Sequence, residues 1–198
     1  MKINVSEKIV DSLVSIGVVP PEDKDLYEYG MRQGIVMIIN VLSVIIVGLI
    51  MGMVWQSIVF LLAYFPIRAY AGGYHARTQW NCYLLSLALV IAVLFEIRLI
   101  PWNGYICIII SFCAGIIVFF LAPVEDANKP LLQREIIIYK RRARIIFSIL
   151  VVAAFVFWVV GSKQISISIV MALETIAVML ILGAIKNSRD IKGESVEV

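Results

Sequence analysis

Charge is scarce in this chain. Only 16% of its 198 residues are Asp, Glu, Lys or Arg, against about a quarter in soluble domains. With 62% hydrophobic residues and a mean hydropathy of +0.97, the chain has more apolar surface than a water-soluble core of this size can hide, so a membrane protein is expected. Histidine is scarcer still. The single His75 and the three cysteines, Cys82, Cys107 and Cys113, form no cluster at ligand spacing, so neither a metal site nor a cofactor is expected. Also missing are a phosphate-binding glycine pattern, which disfavours ATP-driven transport, and the apolar run of a signal peptide near the N-terminus. The apolar stretches do not alternate with polar residues, which excludes a membrane β-barrel.

What is present is a set of six continuous apolar stretches, roughly 34–54, 57–73, 82–100, 104–122, 145–161 and 165–185. Each is close to the approximately 20 residues that carry a helix across a bilayer. The expected fold is therefore all-α, a polytopic helix bundle within a single membrane-embedded domain. Residues 1–33 form cytoplasmic or interfacial helices, 34–185 the transmembrane bundle and 186–198 a cytoplasmic tail. Basic residues orient it. With the N-terminus inside, fifteen Lys and Arg lie on the cytoplasmic side and only Arg98 and Lys163 near the outer ends, a strong positive-inside bias that places both termini in the cytoplasm.

Before the first crossing, Asn4 and Glu7 have capping-box spacing, and Ile3, Ile9, Val10, Leu13 and Ile16 mark one apolar helical face. That face either lies on the membrane surface or packs against the protein's own helices. Pro20-Pro21 is expected to end this helix, with Asp23 capping the next. In the first crossing, Gly48 and Gly52 permit close helix contact, within one bundle or between two copies.

The only histidine lies in the connector between the second and third crossings, in R-A-Y-A-G-G-Y-H-A-R-T-Q-W-N-C, residues 68–82. Gly72-Gly73 is a natural end for the second crossing, and Thr78 or Asn81 a cap for the third, which places Cys82 in a first helical turn. There the helix dipole, with Arg77 and Arg68 nearby, favours thiolate over thiol, and unpaired backbone N–H groups can receive an oxyanion. On one straight helix His75 and Cys82 would stand about 10 Å apart along the axis, too far for proton transfer, so a catalytic pair requires a bend at the glycines. The alternative is an interfacial histidine and a packed thiol. Arg68, one to two turns inside the second crossing, has two readings as well. It snorkels to the headgroups, or it points inward to bind a substrate carboxylate, to hold the active-site loop or to pair with Glu174. Cys107 and Cys113 read as packing residues.

The block from Ala63 to Cys82, together with A-P-V-E-D-A-N-K-P-L at Ala122–Leu131, resembles the accessory gene regulator B family of bacterial membrane peptidases, and the resemblance runs over nearly the whole chain. It implies a cysteine endopeptidase at the inner face of the plasma membrane of a bacterium, Gram-positive by that resemblance. Such an enzyme processes the propeptide of a quorum-sensing autoinducing peptide, a regulator of virulence, and is a homodimer. Its cysteine attacks the peptide bond after the signal sequence and releases the C-terminal tail. An internal Cys or Ser of the propeptide then closes a thiolactone or lactone ring. Carried onto this sequence, Cys82 is the nucleophile and His75 the general base and acid.

A thioester at Cys82 keeps most of the acyl activation, so exchange with a second thiol is nearly balanced. Hydrolysis must be limited by excluding water, a task for Tyr70, Tyr74 and Trp80, whose other reading is the interfacial aromatic belt. Gln79, Asn81, Asp126 and Asn128 are candidates for orienting the histidine, while Arg68, Gly72, Gly73, Arg77, Glu125, Lys129 and Pro130 complete the supporting set. The basic loop Lys129–Arg144 either touches anionic lipid or receives the propeptide's acidic tail. So short a loop against a membrane is not expected to bind nucleic acid. The rival readings are a small transporter using Glu96, Arg98, Glu174 and Arg68, or a non-enzymatic chaperone of a peptide.

Overall fold

The computed structural model describes residues 4–74, 76, 78–125 and 132–194, with side chains between Ser6 and Ser188. Among these, the chain forms seven α-helices: α1 Asn4–Ser15, α2 Lys24–Met51, α3 Val54–Ala71, α4 Gln79–Leu99, α5 Gly104–Leu121, α6 Gln133–Val159 and α7 Lys163–Glu194. A 3-10 turn, Pro21–Asp23, precedes α2. Six of the helices, α2 to α7, are long and apolar enough to cross a membrane, and the fold is the all-α polytopic bundle read from the sequence. The chain is a multi-pass membrane protein. It divides into two compact units, Met1–Val44 and Ile45–Val198.

In the first unit, α1 stops earlier than the prolines suggest. Gly17 takes a positive φ of 78°, its N–H donates to the Val14 carbonyl (3.0 Å), and that of Val18 donates to Leu13 (3.0 Å). This pair of bonds is the Schellman ending that glycine favours. Pro20-Pro21 then starts the 3-10 turn, and Asp23 directly precedes α2. Val10 and Val19 are buried, and Lys24 pairs with Asp11 at 2.6 Å. The expected Asn4–Glu7 capping pair involves an Asn4 side chain outside those described.

In the second unit, α7 is the central helix. Of its apolar window, 72% is buried, against 11–33% for the other five candidate spans. Helices α3, α5 and α6 pack around it, joined by a core of Ile67, Ala71, Val118, Phe147, Leu173 and Leu180. The hydroxyls buried along α7 are satisfied: Ser166 donates to the Ala154 carbonyl (2.7 Å) and Thr175 to Met171 (2.7 Å), as a low-dielectric interior requires. Gly48 serves packing inside the chain, because a Cβ there would lie 3.1 Å from Ser57 Cβ.

Two helices begin well before their apolar runs. α2 starts at Lys24 rather than near 34, and α6 at Gln133 rather than 145. Much of the expected basic loop is therefore helix. The Glu135 carboxylate accepts the Leu132 N–H at 2.9 Å and starts α6, and Arg134, Lys140, Arg141, Arg142 and Arg144 ride on its first turns. Lys, Arg, Glu and Gln are good helix formers, so the apolar run marks the part of a helix that meets lipid, not where the helix begins.

Candidate active site

The connector after α3 is built by glycines and one arginine. α3 ends at Ala71, and Gly72 turns the chain with a φ of 71° and Gly73 with 115°, a region open to glycine and strained for other residues. The Gly73 N–H donates to the Val124 carbonyl (3.2 Å) and the Val124 N–H to the Ala71 carbonyl (2.9 Å). Gly72 and Val124 thus form a parallel bridge. The two motifs, fifty residues apart in sequence, are one structural unit. A Cβ on Gly72 would collide with the Val124 carbonyl, and one on Gly73 would stand 2.8 Å from the Met179 carbonyl.

Arg68 does not pair with Glu174 among the described residues. Its guanidinium donates to the Gly72 carbonyl and to the Tyr74 carbonyl at 2.5 Å, which is the loop-holding reading. Two donors of one rigid fork reach two successive parts of the connector, a geometry open to arginine and closed to a point-charge lysine. From the other side, the Tyr74 N–H donates to the Met179 carbonyl at 2.8 Å. Gly183 makes this possible. It lies one turn after Met179, and a Cβ there would stand 2.7 Å from the Tyr74 nitrogen. Asn187, a turn further along α7, donates from Nδ2 to the Glu125 carbonyl at 2.9 Å. The sequence reading missed Met179, Gly183 and Asn187, because nothing local marks a helix face that receives a distant backbone.

Thr78 caps α4. Its side-chain oxygen accepts the Asn81 N–H at 3.2 Å, so Asn81 is a member of the first turn and not its cap. Cys82 is a partly buried free thiol, and its own N–H is committed to the Thr78 carbonyl at 3.0 Å. The first-turn N–H groups that a helix leaves without an internal partner are those of Gln79 and Trp80.

The aromatic residues divide. Tyr70 lies beneath Arg142 (5.2 Å), accepts a bond from its guanidinium at 3.1 Å and meets Tyr139 edge-on. Tyr74 lies beneath Lys186 at 5.6 Å. Trp80 is 71% exposed and stacks on Tyr83, the position of a belt residue. Cys107 is buried on α5, as a packing residue is, whereas Cys113 is exposed on the same helix and is not packed inside the described residues. His75, Arg77, Asp126, Asn128, Lys129 and Pro130 lie outside the described residues.

The comparisons with known proteins agree on one family. The model of accessory gene regulator B, AgrB, matches residues 6–182. A Clostridium perfringens (strain 13) protein named for its likeness to AgrB is 28% identical over 138 residues, 65% of this chain and 63% of that protein. The likeness thus spans less than two thirds of that relative. A Listeria innocua protein of similar name is 28% identical over 139 residues, covering 68% of this chain and 67% of its own. No solved structure matches. By its match over residues 6–182, the chain belongs to the accessory gene regulator B family, membrane proteins of the agr quorum-sensing system.

Proposed function

We propose that this protein is a membrane cysteine endopeptidase that removes the C-terminal tail of an autoinducer propeptide and promotes its ring closure. The observation that carries the reading is the anchoring of the connector as far as Tyr74. Arg68 holds the Gly72 and Tyr74 carbonyls, α7 holds the Tyr74 N–H, and the backbone so fixed leads directly into His75, with Cys82 on the first turn of the next helix. Acyl transfer needs its base and nucleophile held within a narrow tolerance, since a displacement of about 1 Å can cost about 10²-fold in rate, and the anchored residues stand next to the base in sequence.

In the proposed reaction His75 takes the proton of the Cys82 thiol as sulfur attacks the scissile carbonyl. The oxyanion receives the N–H groups of Gln79 and Trp80. The amine of the tail leaves with the proton from His75, and the acyl group stays on Cys82 as a thioester. A Cys or Ser of the propeptide then attacks that thioester, closes the ring and returns the thiol. Arg134, Lys140 and Arg141 at the start of α6, with Lys186, receive the acidic tail. The enzyme acts as a homodimer in the plasma membrane of a Gram-positive bacterium, with both termini and the site on the cytoplasmic side.

Co-expression with a candidate propeptide tests this reading, with released tail quantified by mass. The wild type releases tail, Cys82→Ala releases none, and Cys82→Ser is slower by at least about 10²-fold, since serine lacks a comparably ionised nucleophile. Unchanged cleavage by Cys82→Ala removes the protease reading. Uptake or export of the peptide without any cleavage by the wild type favours the transporter.

A further inference from the structure

A groove between α5 and α6 takes no part in the proposed cleavage. It encloses about 740 Å³ and is lined by residues such as Phe112, Gly115, Ile116, Phe119, Phe147 and Val151. One of its few hydroxyls, that of Ser166, is already donated to the Ala154 carbonyl. Such walls offer no recognition to a polar ligand and suit a hydrocarbon chain. Ile108, Phe112 and Ile116 are 64%, 69% and 46% exposed, so the groove opens sideways along two membrane-spanning helices, toward lipid.

One end of the groove carries charge. In a continuing helix the Phe119 carbonyl would take the N–H of residue 123, but that residue is Pro123 and has none. Arg144 supplies the missing donor, Nη2 to the Phe119 carbonyl at 2.6 Å, and its guanidinium lies over the Phe119 ring at 5.1 Å. Arg144 Nε is buried with no hydrogen-bond partner among the described residues. Lys140, Arg141 and Arg142 precede it on α6. This is also the end of the bundle that holds the connector, the side that the basic residues assign to the cytoplasm. From Phe112 to Phe119 is about 10 Å along α5, within the depth of one leaflet, roughly 15 Å of hydrocarbon.

We infer that the α5–α6 groove binds one anionic phospholipid of the inner leaflet, its acyl chain along Phe112, Ile116 and Phe147 and its phosphate at Arg144. The cation gives headgroup preference and the groove gives affinity for the chain. Because neither uses Cys82 or the connector, the inference stands apart from the protease reading.

Native mass spectrometry of the full chain, released from detergent micelles containing phosphatidylglycerol or phosphatidylcholine of identical acyl chains, tests it. The wild type retains one phosphatidylglycerol per chain, about fivefold over phosphatidylcholine, the factor expected for one basic residue at an anionic headgroup. Arg144→Gln keeps an amide donor for the Phe119 carbonyl and loses the charge, so the preference falls to parity while helical circular dichroism is unchanged. Ile116→Trp fills the groove and lowers retention of both lipids. Equal retention of the two lipids by the wild type, or retention unchanged in both variants, overturns the inference. So does an efficient disulfide between copies through Ile108→Cys, which would assign the groove to a second chain.

Discussion

Arg68 is the residue on which the connector depends most. A lone guanidinium near the end of a membrane helix is costly, and here the cost is offset by charge-assisted bonds to two carbonyls of the bend at the glycines. Arg68→Lys keeps the charge and loses the fork. Tail release is expected to fall about 10²-fold, the scale of a misplaced catalytic base, with Cys82 still open to alkylation by a small thiol reagent. Gly183 acts by what it lacks. Gly183→Ala puts a methyl group against the Tyr74 nitrogen and the Gly73 carbonyl carbon, at 2.7 and 2.8 Å, and overpacking of this kind costs about 1–3 kcal/mol. A lower thermal midpoint in detergent, together with loss of tail release, checks it. The sequence marks Gly72 and Gly73 as breakers because they stand at the edge of an apolar run. Gly183 stands inside one, and the chain it clears is over a hundred residues away, so no local pattern announces it.

Among the elements, α4 and α6 show what hydropathy conveys and what it leaves out. The expected crossings lie close to α3, α4 and α5, whose ends coincide with glycines, with Thr78 or with Asn103, which accepts the Ile106 N–H at 3.0 Å. α2 and α6 exceed their apolar runs by ten and twelve residues, since polar residues propagate a helix without entering the lipid. The helical basic face of α6 is a consequence, and so is the Arg142–Tyr70 contact it brings to the connector. The cap of α4 matters because Cys82 hangs on that turn. Thr78→Ala is expected to cost about 1 kcal/mol and to reduce tail release, whereas Thr78→Ser keeps the acceptor and restores both. Thermal midpoints and released tail in the two variants check this together. Equal behaviour of the two variants would show that the cap does not govern the site.

At the scale of the second unit, one buried helix carries the arrangement. α7 receives the Tyr74 amide through Met179 and supports the second motif through Asn187, so the two stretches that mark the family converge on a helix that has neither. That convergence was illegible in the sequence because it is made of backbone bonds between distant segments. An orientation of the bundle, by contrast, is expected from counting basic residues, and it is directly testable. With the three native cysteines replaced, a membrane-impermeant thiol reagent added to intact cells is expected to label Ser162→Cys, in the α6–α7 turn, and to spare Ser188→Cys near the other end of α7. The reverse pattern would invert the topology and move the proposed site outside.

The most direct test of the account is the mass of the enzyme itself during turnover. Wild-type protein mixed with propeptide and quenched in acid should gain the mass of the propeptide less its tail. That adduct should map to Cys82, be removed by hydroxylamine, and be missing from Cys82→Ala and strongly reduced in His75→Ala. Tail release at the wild-type rate with no adduct on Cys82, or an adduct that forms equally well without His75, would contradict it.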